Sequence, residues 1–175
     1  MKKILFVTLI ACFLTGSSDL LLASKDHGSY SLQTEGQVLG IYSGSSPCGD
    51  FVKSLFNIPL NDDCDRIKWN ITLYQDSKTL HPTTFKLSCI VGMKEQSGPG
   101  FIGGGKKAEA EGRWIITKGT KANRNAVVYQ LNPGKGKSAI FFVKMDDNIL
   151  HLLYSDKSLM IGNSGWSYTL NRIKN

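Results

Sequence analysis

The stretch Arg66-Ile67-Lys68-Trp69-Asn70-Ile71-Thr72-Leu73-Tyr74 decides the fold. Ile67, Trp69, Ile71 and Leu73 fall on one side of an extended chain, and Lys68, Asn70 and Thr72 on the other. Successive side chains of a strand point to opposite faces, so this alternation predicts a strand with one face buried. A helix would scatter the same apolar residues around its circumference. The pattern recurs along the chain in both directions.

Upstream, residues 38–42 open the series. Downstream, residues 83–91 place Phe85, Leu87 and Cys89 on one face, and residues 110–117 do the same for Trp114 and Ile116. Residues 125–131 align Val127, Tyr129 and Leu131, and residues 139–145 align Ala139, Phe141, Val143 and Met145. Residues 149–154 follow, and residues 165–171 direct Trp166, Tyr168 and Leu170 inward. That makes eight candidate strands. Turn chemistry separates several of them, as in Asn132-Pro133-Gly134-Lys135-Gly136 and Asp146-Asp147-Asn148. Only residues 50–56 can hold a helical turn or two. Eight sequential strands must manage their edges, and the links are mostly of hairpin length. An all-β fold is expected, an up-and-down antiparallel barrel of about eight strands closed on itself, with a two-sheet sandwich as the rival. A barrel of this size is just wide enough to be filled by side chains or to hold one small ligand, and Trp69, Phe85, Trp114, Tyr129, Phe141 and Trp166 are the large residues available to fill it.

The chain has 175 residues, 41% of them apolar and 20% charged, which excludes wholesale disorder and suits one domain. Lys and Arg number 21 against 14 Asp and Glu, a net charge of +7. These charges form no stripe interleaved with aromatics, so no nucleic-acid partner is expected.

The N-terminus reads as an export signal. Met1-Lys2-Lys3 is positively charged, and residues 4–14 are an apolar run of 11, too short to span a bilayer. Two processing routes fit. Cleavage after Ala23 releases a chain that begins with a flexible tail, residues 24–35, ahead of a single barrel domain, residues 36–175. Alternatively, Leu9-Ile10-Ala11-Cys12 is a lipoprotein box in which Cys12 carries the lipid anchor. No other segment is long and apolar enough for a transmembrane helix, and a periplasmic or cell-envelope location is expected.

Cys48, Cys64 and Cys89 remain after cleavage at Ala23. An oxidising compartment allows one disulfide and leaves one free thiol, with three connectivities open. Cys48 and Cys64 lie in one polar, turn-rich stretch and are the preferred pair, while Cys89 shares the inward face of its strand and reads as a buried small hydrophobe.

Most motifs with catalytic overtones fail on spacing. Gly134-Lys135-Gly136-Lys137-Ser138 resembles the end of a phosphate-binding loop, but position 131 is Leu and a strand follows where a helix is needed. His27, His81 and His151 are far apart and lack metal-type partners at short spacing. Asp62-Asp63 and Asp146-Asp147 are turn residues first. The glycine-rich stretch Gly98-Pro99-Gly100-Phe101-Ile102-Gly103-Gly104-Gly105-Lys106-Lys107 is more suggestive. Glycines let a backbone approach a ligand or fold as a lid. Gly100, Phe101, Ile102, Gly103, Gly104 and Gly105 are therefore the expected ligand-proximal loop, with Phe101 and Ile102 capping the barrel mouth.

Gly40-Ile41-Tyr42-Ser43-Gly44-Ser45-Ser46-Pro47-Cys48 resembles the opening of the N-terminal domain of the NlpE family, bacterial envelope lipoproteins named for copper resistance and linked to envelope stress. Glu111-Gly112-Arg113-Trp114 resembles that domain's central strand, and Val127-Val128-Tyr129-Gln130-Leu131 the strand after it. The resemblance implies a small lipocalin-like barrel. The family places its second cysteine three positions after the first, where this chain has Phe51, and the next cysteine here is Cys64. Cys48 alone matches. In the reduced state Cys48 and Cys64 are the candidate ligands for copper or zinc, and no other cofactor is expected.

The expected function is that of an exported, non-enzymatic, monomeric envelope protein, a binding or stress-sensing module for a small apolar ligand or an envelope protein. The alternative is an exported enzyme that uses Cys89 or His151 inside the barrel.

Overall fold

A computed structural model describes residues 36–173, all within one compact unit, Thr34–Asn175. The signal segment (residues 1–23), Cys12, the tail (residues 24–35) and His27 lie outside the described residues. Eight strands follow one another: β1 (Gln37–Pro47), β2 (Arg66–Gln75), β3 (Pro82–Gly92), β4 (Lys106–Lys118), β5 (Val127–Pro133), β6 (Ile140–Lys144), β7 (Ile149–Leu153) and β8 (Thr169–Ile173). Each pairs antiparallel with the next, and β8 pairs back onto β1 to close a barrel. A short helix, α1 (Asp50–Leu55), and a 3-10 turn at Ile102–Gly104 are the only helical elements among the described residues.

Register follows from the alternation in β2. Ile67, Trp69, Ile71 and Leu73 are at most 2% exposed, and on the neighbouring strand Phe85, Leu87 and Cys89 stand beside them facing inward. An eight-stranded barrel is just wide enough to be filled by side chains. Here Tyr42, Trp69, Phe85, Trp114, Tyr129 and Phe142 occupy it. Trp69 meets Phe142 edge-on with ring centres 6.3 Å apart, and Trp114 tilts against Tyr129 at 4.9 Å. Each buried indole N–H has a partner: Trp69 donates to Ser46 Oγ at 2.9 Å and Trp114 to the Tyr74 carbonyl at 2.7 Å. These bonds remove the cost of burying polar N–H groups.

Two expectations need correction. In β6 the inward residues are Ile140 and Phe142, because Phe142 pairs with Tyr129 and Leu152. Phe141 and Val143 face the opposite way and join a separate outer cluster with Val128 and Leu153, while Met145 is exposed. The run Ala139-Ile140-Phe141-Phe142-Val143 is apolar at every position, so alternation cannot select its inner face. Trp166 precedes β8 rather than pointing into the barrel, since pairing of that strand starts only at Thr169. Ile116 shares a side of β4 with Trp114 as the alternation predicts, and near the end of that strand it is 52% exposed.

β1 continues past Tyr42 to Pro47 because the chain can pass close to β8 at Gly44. A Cβ there would stand 2.6 Å from the Thr169 carbonyl oxygen. Glycine is the residue that tolerates this approach.

Phe142→Ala is expected to cost about 3–5 kcal/mol and Phe141→Ala less than half of that, because only the first empties space in the closed interior. Denaturant unfolding of the two variants checks the assignment, and equal losses would contradict it.

Candidate functional site at the disulfide-closed end

At one end of the barrel, β1 and β2 are joined by residues 48–65. Cys48 and Cys64 form a disulfide with their Cα atoms 5.7 Å apart. The loop between them carries α1, whose Val52 is fully buried, and Leu55, Phe56 and Ile58 pack on the barrel core. The Phe56 ring lies 5.4 Å from Trp69. A helix of six residues with no side-chain N-cap does not hold itself together. It is held by this packing, by the disulfide, and by Lys53, whose buried ammonium donates to the carbonyls of Leu60 at 2.7 Å and Asp62 at 2.9 Å. The disulfide loop, not the glycine loop, caps this end.

The glycine loop lies against the outer wall. Phe101 is only 4% exposed, but it covers Arg66, which faces away from Ile67 and Trp69. The Arg66 guanidinium is 4.8 Å from the centre of the Phe101 ring and 5.1 Å from that of Trp166. One of its NH2 groups donates to the carbonyls of Pro99 and Gly100, both at 3.1 Å, and Lys68 donates to Pro99 at 2.7 Å. Arg66 makes no ion pair among the described residues, and its Nε is buried without a hydrogen-bond partner. The ring faces and loop carbonyls are thus what stabilises this buried charge. Gly105 closes the loop at φ 73°, where a Cβ would come 2.9 Å from the Val91 carbonyl oxygen.

Between the two loops runs a groove of about 420 Å³, lined by Ile58, Asp62, Cys64, Val91, Met93 and Ile102 among others. Ile102, 64% exposed, stands at its edge, and Lys106 crosses to Asp62 at 2.7 Å. The groove brings the expected ligand-proximal loop and the disulfide together, outside the barrel interior. Arg66, Lys68, Lys53 and Trp166 were not legible as parts of this end. The partners of Arg66, Lys68 and Trp166 are distant in sequence, Lys53 meets backbone carbonyls of its own loop that carry no side-chain signature, and each reads singly as a solvated or core residue.

The remaining reactive groups are engaged. Cys89 is 1% exposed, and burial pushes its thiol far above the ordinary range. A thiol that stays protonated is a poor nucleophile. His151 has Nε2 2.9 Å from the Met160 carbonyl and Nδ1 3.2 Å from Thr169 Oγ1. A carbonyl only accepts, so Nε2 carries the proton, and in the neutral ring the threonine hydroxyl donates to Nδ1. His81 is exposed beside the β2–β3 turn, and residues 134–138 form the turn between β5 and β6. At the opposite end of the barrel, burial raises the phenols of Tyr42 and Tyr129 above their usual value, near the Lys144–Asp147 ion pair and Arg172.

The sulfurs of Cys48 and Cys64 are bonded to each other, so in this state neither is a thiolate ligand, and among the described residues no three His, Cys, Asp or Glu side chains converge on one point. The pair does not fit copper or zinc while oxidised. Comparison with protein-family models, curated proteins and solved structures finds no match to this chain.

Reducing the disulfide, which links residues 16 apart, is expected to lower stability by about 3 kcal/mol. Denaturant melts with and without reductant measure this, and under oxidising conditions Cys89 is expected to react with a thiol reagent only as the barrel unfolds. Arg66→Ala is expected to release the glycine loop, seen as faster amide exchange over residues 98–105 and red-shifted tryptophan emission. Unchanged exchange there would refute the role given to Arg66.

Proposed function

We propose that this chain is an exported, non-catalytic protein of the bacterial cell envelope, an NlpE-like barrel that serves as a binding or stress-sensing module. The observation that carries the reading is the Cys48–Cys64 disulfide closing a barrel already filled by its own side chains. Disulfides persist in oxidising compartments, and no helix among the described residues is long and apolar enough to cross a membrane. A filled interior directs recognition to the outside. The groove beside Cys64 and the glycine loop offers Ile58, Met93 and Ile102 to a small apolar ligand or to an apolar side chain of an envelope partner. The buried thiol of Cys89 and the fully bonded ring of His151 support a role without covalent chemistry. A link to copper tolerance rests on the resemblance, zinc enters only through the softness of thiolate ligands, and both require the reduced pair.

Mass spectrometry of the protein isolated from its own cells tests this reading. The expected species is processed at Ala23 or acylated at Cys12, carries one disulfide between Cys48 and Cys64, and retains Cys89 as a thiol. An unprocessed chain with all its thiols free in the cytosolic fraction would overturn the proposal. Equilibrium dialysis of the reduced protein against copper or zinc tests the metal link separately, and no retention would remove it.

A further inference from the structure

The two sides of β4 are unequally used. Residues 106–113 pair with β3, whereas pairing with β5 begins at Gly112 and runs to Lys118. Residues 106–111 therefore form a strand edge without a strand on the β5 side. Among the described residues no backbone hydrogen bond joins this edge to the β5–β6 turn, and a groove of about 830 Å³ runs over Asn70, Thr72, Lys86 and Ser88 of β2 and β3, with Glu109 and Glu111 of the edge and Lys135 and Lys137 of the turn also lining it. Within that turn, nothing lies within 4 Å of where a Cβ would stand on Gly134 or Gly136. An open edge presents unpaired N–H and C=O groups, a template for another strand.

The side chains state which strand fits. Along the edge Lys107, Glu109 and Glu111 are exposed on the outer face and make no ion pair among the described residues, and the small Ala108 and Ala110 alternate with them. A two-fold axis through Ala108, perpendicular to the sheet, sets two copies antiparallel with outer faces aligned. Lys107 then stands opposite Glu109 of the second copy, and Glu109 opposite its Lys107, with alanine facing alanine between them. Opposite charges directly across a strand pair attract and like charges repel. The edge is its own charge complement, so a second copy of this chain meets it with an acid facing a base at both Lys107–Glu109 pairs.

We propose that residues 106–111 of β4 are a homodimer interface in which two barrels join edge to edge about Ala108. Six residues of strand are only about 20 Å long, so the contact is small and the dimer reversible. This surface is separate from the groove at the disulfide, and the inference does not depend on the function proposed for that groove.

Sedimentation velocity of the processed protein over a concentration series tests it. The wild type is expected to shift from monomer to dimer as concentration rises. Lys107→Glu and Glu109→Lys each place like charges opposite one another at both pairs and are expected to weaken association about tenfold or more. Mixing the two variants makes every opposed pair one acid facing one base again, so a heterodimer is expected at concentrations where neither variant dimerises alone. Both positions are exposed, and circular dichroism confirms that each variant is folded. A wild type that stays monomeric throughout, a dimer indifferent to both substitutions, or a mixture that fails to associate would each overturn the proposal.

Discussion

The seam between β1 and β8 joins only three residue pairs, Ile41–Ser43 against Asn171–Ile173, yet it turns a row of hairpins into an enclosed volume. Without it the two terminal strands would be edges with unpaired backbone groups, and the inward aromatics would face water. Closure also fixes the radius within which Trp69, Trp114 and Phe142 must pack. Gly44 belongs to the same constraint, because a side chain there would push β8 away and open the wall.

Once the interior is closed and filled, chemistry moves to the ends and outer surfaces. The disulfide loop is the clearest case: α1 is too short to persist alone, and it rests on the core because Cys48, Cys64 and the buried Lys53 hold its connection down. The glycine loop is fastened by a different force. There a guanidinium between two aromatic rings, with loop carbonyls as acceptors, replaces the carboxylate that usually accompanies a buried arginine. The two fastenings flank one groove, which is why this end is chemically richer than the rest of the barrel.

Much of the architecture was written in local pattern. The alternation in β2 and β3 fixed which residues face inward, and the polar stretch around Cys48 and Cys64 marked the disulfide. Reading failed where local pattern is silent. Both faces of β6 are apolar, and only pairing with Tyr129 and Leu152 turns Phe142 inward and Phe141 outward. Phe101 is apolar and flanked by glycines, which suits a plug at the mouth as well as a cover for an arginine on the wall.

By itself the sequence determined an all-β chain, the positions of its strands and the inward face of most of them, because these depend on neighbours along the chain and on the two-residue period of a strand, while it left three cysteine pairings open with Cys48–Cys64 preferred. Tertiary structure settled the choice of the closed barrel over the two-sheet sandwich, and it alone decided that Arg66 meets Phe101 and Trp166, that the loop carrying α1 caps the barrel, and that half of β4 is left without a strand partner on one side. Each of these depends on residues brought together from distant parts of the chain, and no local periodicity records such meetings.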